Sequence, residues 1–376
     1  MARLDDICAI NMGQSPDSAS YNENGEGMPF FQGNADFGKT HPKVRVWCSA
    51  PTKIAHAGDV LISVRAPIGA LNIADRECCI GRGLAALTVN EGLCVKDYLW
   101  YAIASKVDEL NSKGTGSTFK AISKGVLAET EIPLPDLNEQ KKIAEQLTMV
   151  DRLIAARKEQ LTKLDQLIKS RFVELFGDPE KNTFCWKEQP LSEHLNVIGG
   201  YAFKSEQFSE EGIPVLRIGN INSGFFKSVN LVYWEDDDAL SRYKMYPGDL
   251  VMSLTGTVGK DDYGNVCILG NDYAEYYLNQ RNAKLELQDT MNKYYLSMLL
   301  KFEPIKKKLT GISRGVRQAN ISNKDILNLS VPIPPIELQK QFATFVKQTD
   351  KSKLAIQQSL DKLELLKTSL MQEYFG

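Results

Sequence analysis

Histidine is the scarcest chemistry-bearing side chain in this sequence. Only His41, His56 and His194 occur among 376 residues, and no local motif joins them, so a histidine-based triad has almost nothing to be built from. The seven cysteines (Cys8, Cys48, Cys78, Cys79, Cys94, Cys185, Cys267) are odd in number and contain no C-x-x-C, which excludes a disulfide framework and a structural zinc site. They read as reduced thiols, and no metal is expected. No apolar run approaches the ~20 residues needed to cross a bilayer, and the opening Met1-Ala2-Arg3-Leu4-Asp5-Asp6 carries no apolar stretch of the signal-peptide kind. The expectation is a cytoplasmic protein with no membrane partner. An excess of positive charge is also missing. Lys and Arg total 45 against 47 Asp and Glu, a net charge of −2, which excludes a chain that coats nucleic acid through a global positive field and leaves room only for local basic surfaces.

What is present is an ordinary core-forming composition, 43% hydrophobic and 24% charged, in a length that suggests two or three domains. The decisive feature is an internal repeat. At an offset of 199 residues Arg82 meets Arg281, Gly116 meets Gly315, Ile122-Ser123 meets Ile321-Ser322, and Pro133-x-Pro135 meets Pro332-x-Pro334. The register then runs without a gap through Gln140-Lys141 and Gln339-Lys340 to Phe176-Gly177 and Phe375-Gly376. Upstream the offset shrinks, with Gly58-Asp59 on Gly248-Asp249 and Gly27-x-Pro29 on Gly212-x-Pro214. One unit has been written twice, and its front half has diverged by insertion.

Each front half, 1–137 and 178–336, is rich in Gly and Pro with short β-branched runs such as Val60-Leu61-Ile62-Ser63-Val64 and Leu250-Val251-Met252-Ser253-Leu254, the signature of strands between turns. Helical stretches are expected over 95–113 and 294–308. Each back half, 138–177 and 337–376, has neither Gly nor Pro before its end. In the first, Leu147, Ile154, Leu161, Ile168 and Leu175 recur every seven residues with Ile143, Val150 and Leu164 alongside; in the second, Phe342, Ile356, Leu363 and Leu370 recur with Val346 and Leu360. This period marks a coiled-coil seam. Arg157, Arg171, Lys353 and Lys367 interrupt it, and cations there disfavour self-pairing of either helix. At ~1.5 Å per residue each helix is about 58 Å long, longer than one ~34 Å turn of B-DNA. Pairing over their length requires antiparallel helices. The expected fold is therefore α+β, with two similar globular lobes held apart by two long antiparallel helices and related by a pseudo-twofold axis.

The residues Gly13-Gln14-Ser15-Pro16 with Tyr21, Gly33-Asn34-Ala35-Asp36-Phe37-Gly38, Gly58-Asp59-Val60-Leu61 and Ile80-Gly81-Arg82-Gly83-Leu84-Ala85-Ala86-Leu87 resemble a target-recognition domain of the specificity subunits of type I restriction-modification enzymes. Ile132-Pro133-Leu134-Pro135 with Glu139-Gln140-Lys141-Lys142-Ile143-Ala144, then Tyr201-Ala202-Phe203-Lys204-Ser205, then Val331-Pro332-Ile333-Pro334-Pro335 with Gln339, extend the resemblance over essentially the whole chain. Each motif alone is loose; the tandem lobe-helix-lobe-helix order is specific. The resemblance implies a non-catalytic subunit that reads a bipartite, asymmetric sequence in double-stranded DNA, one half-site per lobe. It also implies docking of two adenine-methyltransferase subunits, which would carry S-adenosylmethionine, and of translocating restriction subunits; no cofactor is expected on this chain. The competing classes fare worse. The Asn-Pro-Pro-aromatic sequence of a methyltransferase is absent, and Gly256-Thr257-Val258-Gly259-Lys260 is too short for a phosphate loop. A coiled-coil adaptor that binds only proteins would leave the lobes unexplained.

The duplication sorts candidate DNA contacts. A residue identical in both lobes cannot encode a difference between half-sites, so Arg82 and Arg281 are expected either to support the scaffold by pairing with a carboxylate or to hold a phosphate. Base readers belong where matching positions differ: Gln32 against Arg217, Arg65 against Thr255, Thr115 against Arg314, Thr118 against Arg317, Phe119 against Gln318 and Lys120 against Ala319. Arg suits guanine O6/N7 and Gln suits adenine N6/N7 in the major groove. The loops 114–120, including Ser117, and 311–318 combine Gly, hydroxyls and cations. Lys39, Lys43 and Arg45 form a third basic strip, and Lys204 and Asn220 complete the set. For every one of these, a solvated turn residue is the alternative.

Overall fold

A computed structural model describes residues 1–116, 120–258, 260, 262–311 and 318–376, with only the backbone of Gln318. The chain divides into two compact units: unit 1 comprises residues 1–159 and 357–376, and unit 2 comprises 160–356.

Unit 1 is built around a strand with no polar face. Val60, Leu61, Ile62 and Ser63 of β6 (Val60–Ser63) are all buried, because both sides of the strand are covered. Val60 and Ile62 point to a core shared with helices, and Leu61 points to a second core of Phe31, Ala55, Ile80, Leu84 and Ala86. The four-stranded sheet runs β1 (Cys8–Met12), β9 (Leu84–Val89), β6, β7 (Leu71–Ile73), all antiparallel. A five-stranded mixed sheet lies beyond the second core, in the order β2 (Tyr21–Asn22), β4 (Val46–Cys48), β3 (Met28–Phe31), β8 (Cys78–Ile80), β5 (Ile54–Ala55). Its one parallel pair joins Phe30 to Cys79 and Phe31 to Ile80. The helical stretch expected over 95–113 is two helices, α1 (Lys96–Ala104) and α2 (Val107–Ser112).

The long helix α3 (Leu137–Phe176) follows. Gln140, fully buried, fixes its start against α1: Oε1 accepts from Val95 N at 2.8 Å, while Nε2 donates to Leu93 O at 3.0 Å and to Pro135 O at 2.8 Å. Ile143, Ala144 and Leu147 then enter the same core as Tyr98 and Leu99.

Unit 2 repeats this plan. One sheet runs β10 (Leu195–Gly199), β18 (Asn282–Leu287), β14 (Leu250–Ser253), β16 (Val266–Ile268). A second runs β12 (Tyr233–Trp234), β11 (Ile213–Leu216), β17 (Tyr276–Leu278), β13 (Lys244–Met245), with the parallel pair Leu216 to Leu278. A short ribbon pairs β15 (Thr255–Thr257) with β19 (Gln318–Asn320). The helix expected over 294–308 breaks into α4 (Lys293–Lys301) and α5 (Glu303–Thr310), because Phe302 leaves the helical conformation and Pro304 opens the second segment. Gln339 repeats the glutamine clamp at the start of α6 (Ile336–Phe375), accepting from Asn292 N at 2.8 Å and donating to Pro334 O at 2.8 Å.

Each unit contains an antiparallel pair of helix segments. In unit 1, Lys367 Nζ reaches Asp151 Oδ1 at 2.7 Å, Lys158 reaches Glu364 at 2.8 Å and the Tyr374 hydroxyl donates to Gln146 at 2.7 Å. In unit 2, Lys353 reaches Asp165 at 2.7 Å and the Arg171 guanidinium lies 5.9 Å from the Phe345 ring. Of the seam cations, Lys353, Lys367 and Arg171 thus have partners on the facing helix, beyond the disfavouring of self-pairing expected of them. Of the seam residues, Leu147, Ile168, Phe342 and Leu360 are buried, and Ile154, Leu161, Leu164, Leu175, Ile356, Leu363 and Leu370 are half-buried. Phe375 packs on Tyr98 at 5.2 Å, and Phe176 packs on Tyr295 at 4.8 Å, so each unit closes on an aromatic from the end of a long helix.

Candidate nucleic-acid interface

Strand register places the two lobes on one another, and it revises the sequence match at one position. In unit 1, Leu84 N bonds Gly81 O at 3.0 Å, Val64 N bonds Gly83 O at 2.9 Å and Gln14 N bonds Ile80 O at 3.0 Å. In unit 2 the same three bonds are Asn282 N to Asn279 O at 2.9 Å, Leu254 N to Arg281 O at 2.8 Å and Tyr201 N to Leu278 O at 2.8 Å. Leu84 therefore corresponds to Asn282, Gly83 to Arg281 and Arg82 to Gln280. The two arginines that match in the sequence occupy different places in the turn. The expectation that they pair with carboxylates also fails: both are exposed, and among the described residues neither guanidinium has a hydrogen bond or an ion pair.

In unit 1 the 81–83 turn gathers other candidates around it. The Gln32 carbonyl would sit 2.3 Å from a Cβ on Gly83, so the 32–33 backbone lies directly against the turn. Arg65 follows Val64, pairs by a bridge with Ala121, and Ala66 N bonds Lys120 O at 3.0 Å. Thr115 bonds Ala121 in both directions. Gln32, Arg65, Arg82, Thr115 and Lys120 are thus exposed on adjoining loops. The loop carrying Lys39 and Lys43 is clipped to β7 by Ile73 N bonding Thr40 O at 2.9 Å. Among the described residues Arg65, Arg82, Lys120, Lys39 and Lys43 have no carboxylate partner, so five cations stand uncompensated in a chain of net charge −2.

Arg45 does not belong with them. Its Nε donates to Asp36 Oδ1 at 3.1 Å and its Nη2 to the same oxygen, while Asp36 Oδ2 accepts from Gln32 N at 2.7 Å. The guanidinium holds the loop that presents Gln32. Asn220, at the matching place in unit 2, is 1% exposed. Its Oδ1 accepts from Arg217 N at 2.9 Å and its amide donates to the carbonyls of Lys227 and Val229, each at 2.9 Å, so no group remains for a base.

In unit 2 the corresponding surface is a cleft of about 440 Å³ lined by Arg217, Asn230, Asn279, Gln280 and Arg281 with Phe203 at its side. The backbone beside it is held differently in the two units. In unit 1 the turn backbone itself holds the end of β3, Gly81 N bonding Phe31 O at 2.8 Å. In unit 2 the equivalent Leu216 carbonyl is held instead by the buried Asn282 side chain at 2.7 Å, and Gln280 N turns to Tyr201 O at 2.8 Å. Arg217 donates to Asn230 O from the cleft wall. Lys204, which follows Phe203 in the sequence, is exposed at the start of the Ser205–Gln207 turn.

Ser117, Thr118, Phe119, Arg314 and Arg317 lie outside the described residues, as does the Gln318 side chain. Asn230, Asn279 and Gln280 were not singled out by the sequence. Gln280 sits beside Arg281 and would have been found by aligning β9 with β18 instead of Arg with Arg. Four buried cysteines, by contrast, are held as thiols. Burial pushes Cys8, Cys78 and Cys267 up to about 12 and Cys94 up to about 11, so these thiols stay protonated. Among the described residues no group of His, Cys, Asp and Glu could hold a metal ion, and no helix is long and apolar enough to cross a membrane.

The chain is similar to known proteins. The family model described as the type I restriction modification DNA specificity domain matches residues 1–166 and 185–365. The putative type I restriction enzyme MjaX specificity subunit of Methanocaldococcus jannaschii is 44% identical over 150 residues, a match that spans 40% of this chain and 35% of that relative. The MjaVIII specificity subunit of the same organism is 29% identical over 297 residues, 73% of this chain and 68% of the relative. The crystal structure of a type I restriction-modification S subunit from M. genitalium superposes with a TM-score of 0.61 at 18% identity, covering 100% of this chain and 95% of that one.

Proposed function

The chain belongs to the type I restriction-modification DNA specificity family, and from that premise we propose that its two lobes read the two halves of a bipartite, asymmetric DNA target while the chain itself catalyses nothing. A specificity subunit recognises DNA sequence. The observation that supports one half-site per lobe is the pairing of equal scaffolds with unequal surfaces. The same bonds hold the turns 81–83 and 279–281, yet one presents Arg82 between glycines and the other presents Gln280 and Arg281 over a cleft. Symmetric dimers read palindromes because both surfaces are identical; a duplicated chain whose surfaces differ reads two different sequences.

Chemistry then falls to partners. Two adenine-methyltransferase subunits carrying S-adenosylmethionine dock on this chain, and translocating restriction subunits join them for cleavage. The charge supports this division. At a net charge of −2 the uncompensated cations can hold only a few phosphates, so the partners supply the remaining positive field around the duplex. The chain alone binds DNA weakly, and tight binding appears on assembly. The test is protection of DNA by the purified chain assembled with its methyltransferase partner. One duplex should be protected at moderate salt in preference to scrambled duplexes of the same composition; equal protection of all of them contradicts the proposal.

A further inference from the structure

We propose that the short turns 81–83 and 279–281 set which bases each lobe reads, with Arg82 directed at a guanine in one half-site and Gln280 at an adenine in the other. This rests on the reading of one half-site per lobe. Three observations lead to it. First, the turns are held alike: each is tied at both ends by backbone bonds of 2.8–3.0 Å to matching positions, Gln14 and Val64 in one unit and Tyr201 and Leu254 in the other, so different side chains stand on a common frame. Second, Arg82, Gln280 and Arg281 are exposed, and among the described residues their side chains make no hydrogen bond or ion pair. A side chain that serves the fold would be engaged with it, as Arg45 is with Asp36.

Third, sterics fix which turn position can carry a side chain. A Cβ on Gly83 would lie 2.3 Å from the Gln32 carbonyl oxygen, so unit 1 cannot carry an arginine at position 83, the place that Arg281 takes in unit 2. Unit 2 lacks one residue in the link from strand to helical turn, where Arg217 alone precedes Ile218–Ile221 while Gln32 and Gly33 precede Asn34–Asp36. Arg281 stands there on the wall of the cleft, beside Arg217. The cation therefore moves along the turn by one residue, ~3.8 Å between successive Cα atoms, comparable with the ~3.4 Å rise of one base pair. Arg is matched to guanine O6 and N7, and Gln to adenine N7 and N6, through paired hydrogen bonds in the major groove.

The experiment sequences the methylated bases produced by the assembled methyltransferase carrying Arg82→Ala, Gln280→Ala or Gln280→Glu. Both Ala variants should relax discrimination at one position of one half-site, by roughly 5- to 150-fold, and leave the other half-site intact. Gln280→Glu, which keeps the length and exchanges an amide for an acceptor, should move the preference from adenine towards cytosine at that position. Circular dichroism melting checks that the variants fold. A uniform loss of affinity with an unchanged base preference would make these residues phosphate contacts and overturn the assignment, as would unchanged specificity. Exchange of the whole lobe 178–336 in the same assay separates the two levels. If that exchange changes one half-site while the point variants change no position, the turn assignment alone is wrong; if the exchange also changes nothing, the half-site reading fails with it.

Discussion

His194 is 5% exposed, and its Nδ1 lies 2.8 Å from the Thr290 hydroxyl, so protonation would place a charge inside unit 2. Burial holds its pKa below the ordinary value of 6.5. The unfolded chain therefore binds the proton first as pH falls. The contribution of this imidazole to stability is fully present above 6.5 and declines as pH drops from there through the lower folded value. Urea denaturation of unit 2 should show a lower midpoint at pH 5.5 than at pH 7.5, and His194→Gln should remove much of that difference; an equal pH dependence in both proteins would assign it elsewhere. At this scale the sequence was partly legible. Arg65 and Lys120 are exposed on adjoining loops, and Arg82 and Arg281 are exposed without the carboxylate partner that was one expectation for them. Arg45 and Asn220 do not serve as expected, because composition cannot show that Asp36 captures one and that three backbone groups consume the other.

Elements were legible where the signal was local and periodic. The every-seventh apolar ladder located α3 and α6, since a helix of 40 residues repeats its own pattern many times. The turn register was not legible: a one-residue difference in chain length was hidden by the coincidence of two arginines, and only strand pairing resolves it. The glutamine clamps show what the repeat preserves. Gln140→Ala would remove the side-chain partner of Val95 N and of the Leu93 and Pro135 carbonyls, at roughly 1–3 kcal/mol for each of these groups that water does not reach. Guanidinium denaturation should therefore show a clear fall in midpoint for Gln140→Ala and almost none for Lys141→Ala, its exposed neighbour. Equal midpoints would mean that the clamp contributes nothing to the stability of unit 1.

On the scale of the whole molecule, the proposed asymmetric readout rests on the duplication, which sets two different surfaces on one repeated fold. A net charge of −2 is compatible with the proposed division of labour, in which this chain offers two local surfaces and partners complete the field. If the long helices set the unread spacer, inserting one heptad into each should move the half-sites apart by up to about three base pairs, given ~1.5 Å per helical residue and ~3.4 Å per base pair. An unchanged spacer in the methylated sequence would refute a ruler. The claim that each lobe reads its own half is tested most directly by exchanging residues 178–336 for the corresponding lobe of a relative and sequencing the methylated DNA. The account predicts that one half of the recognised sequence changes while the other half stays as it was. A change in both halves would contradict it.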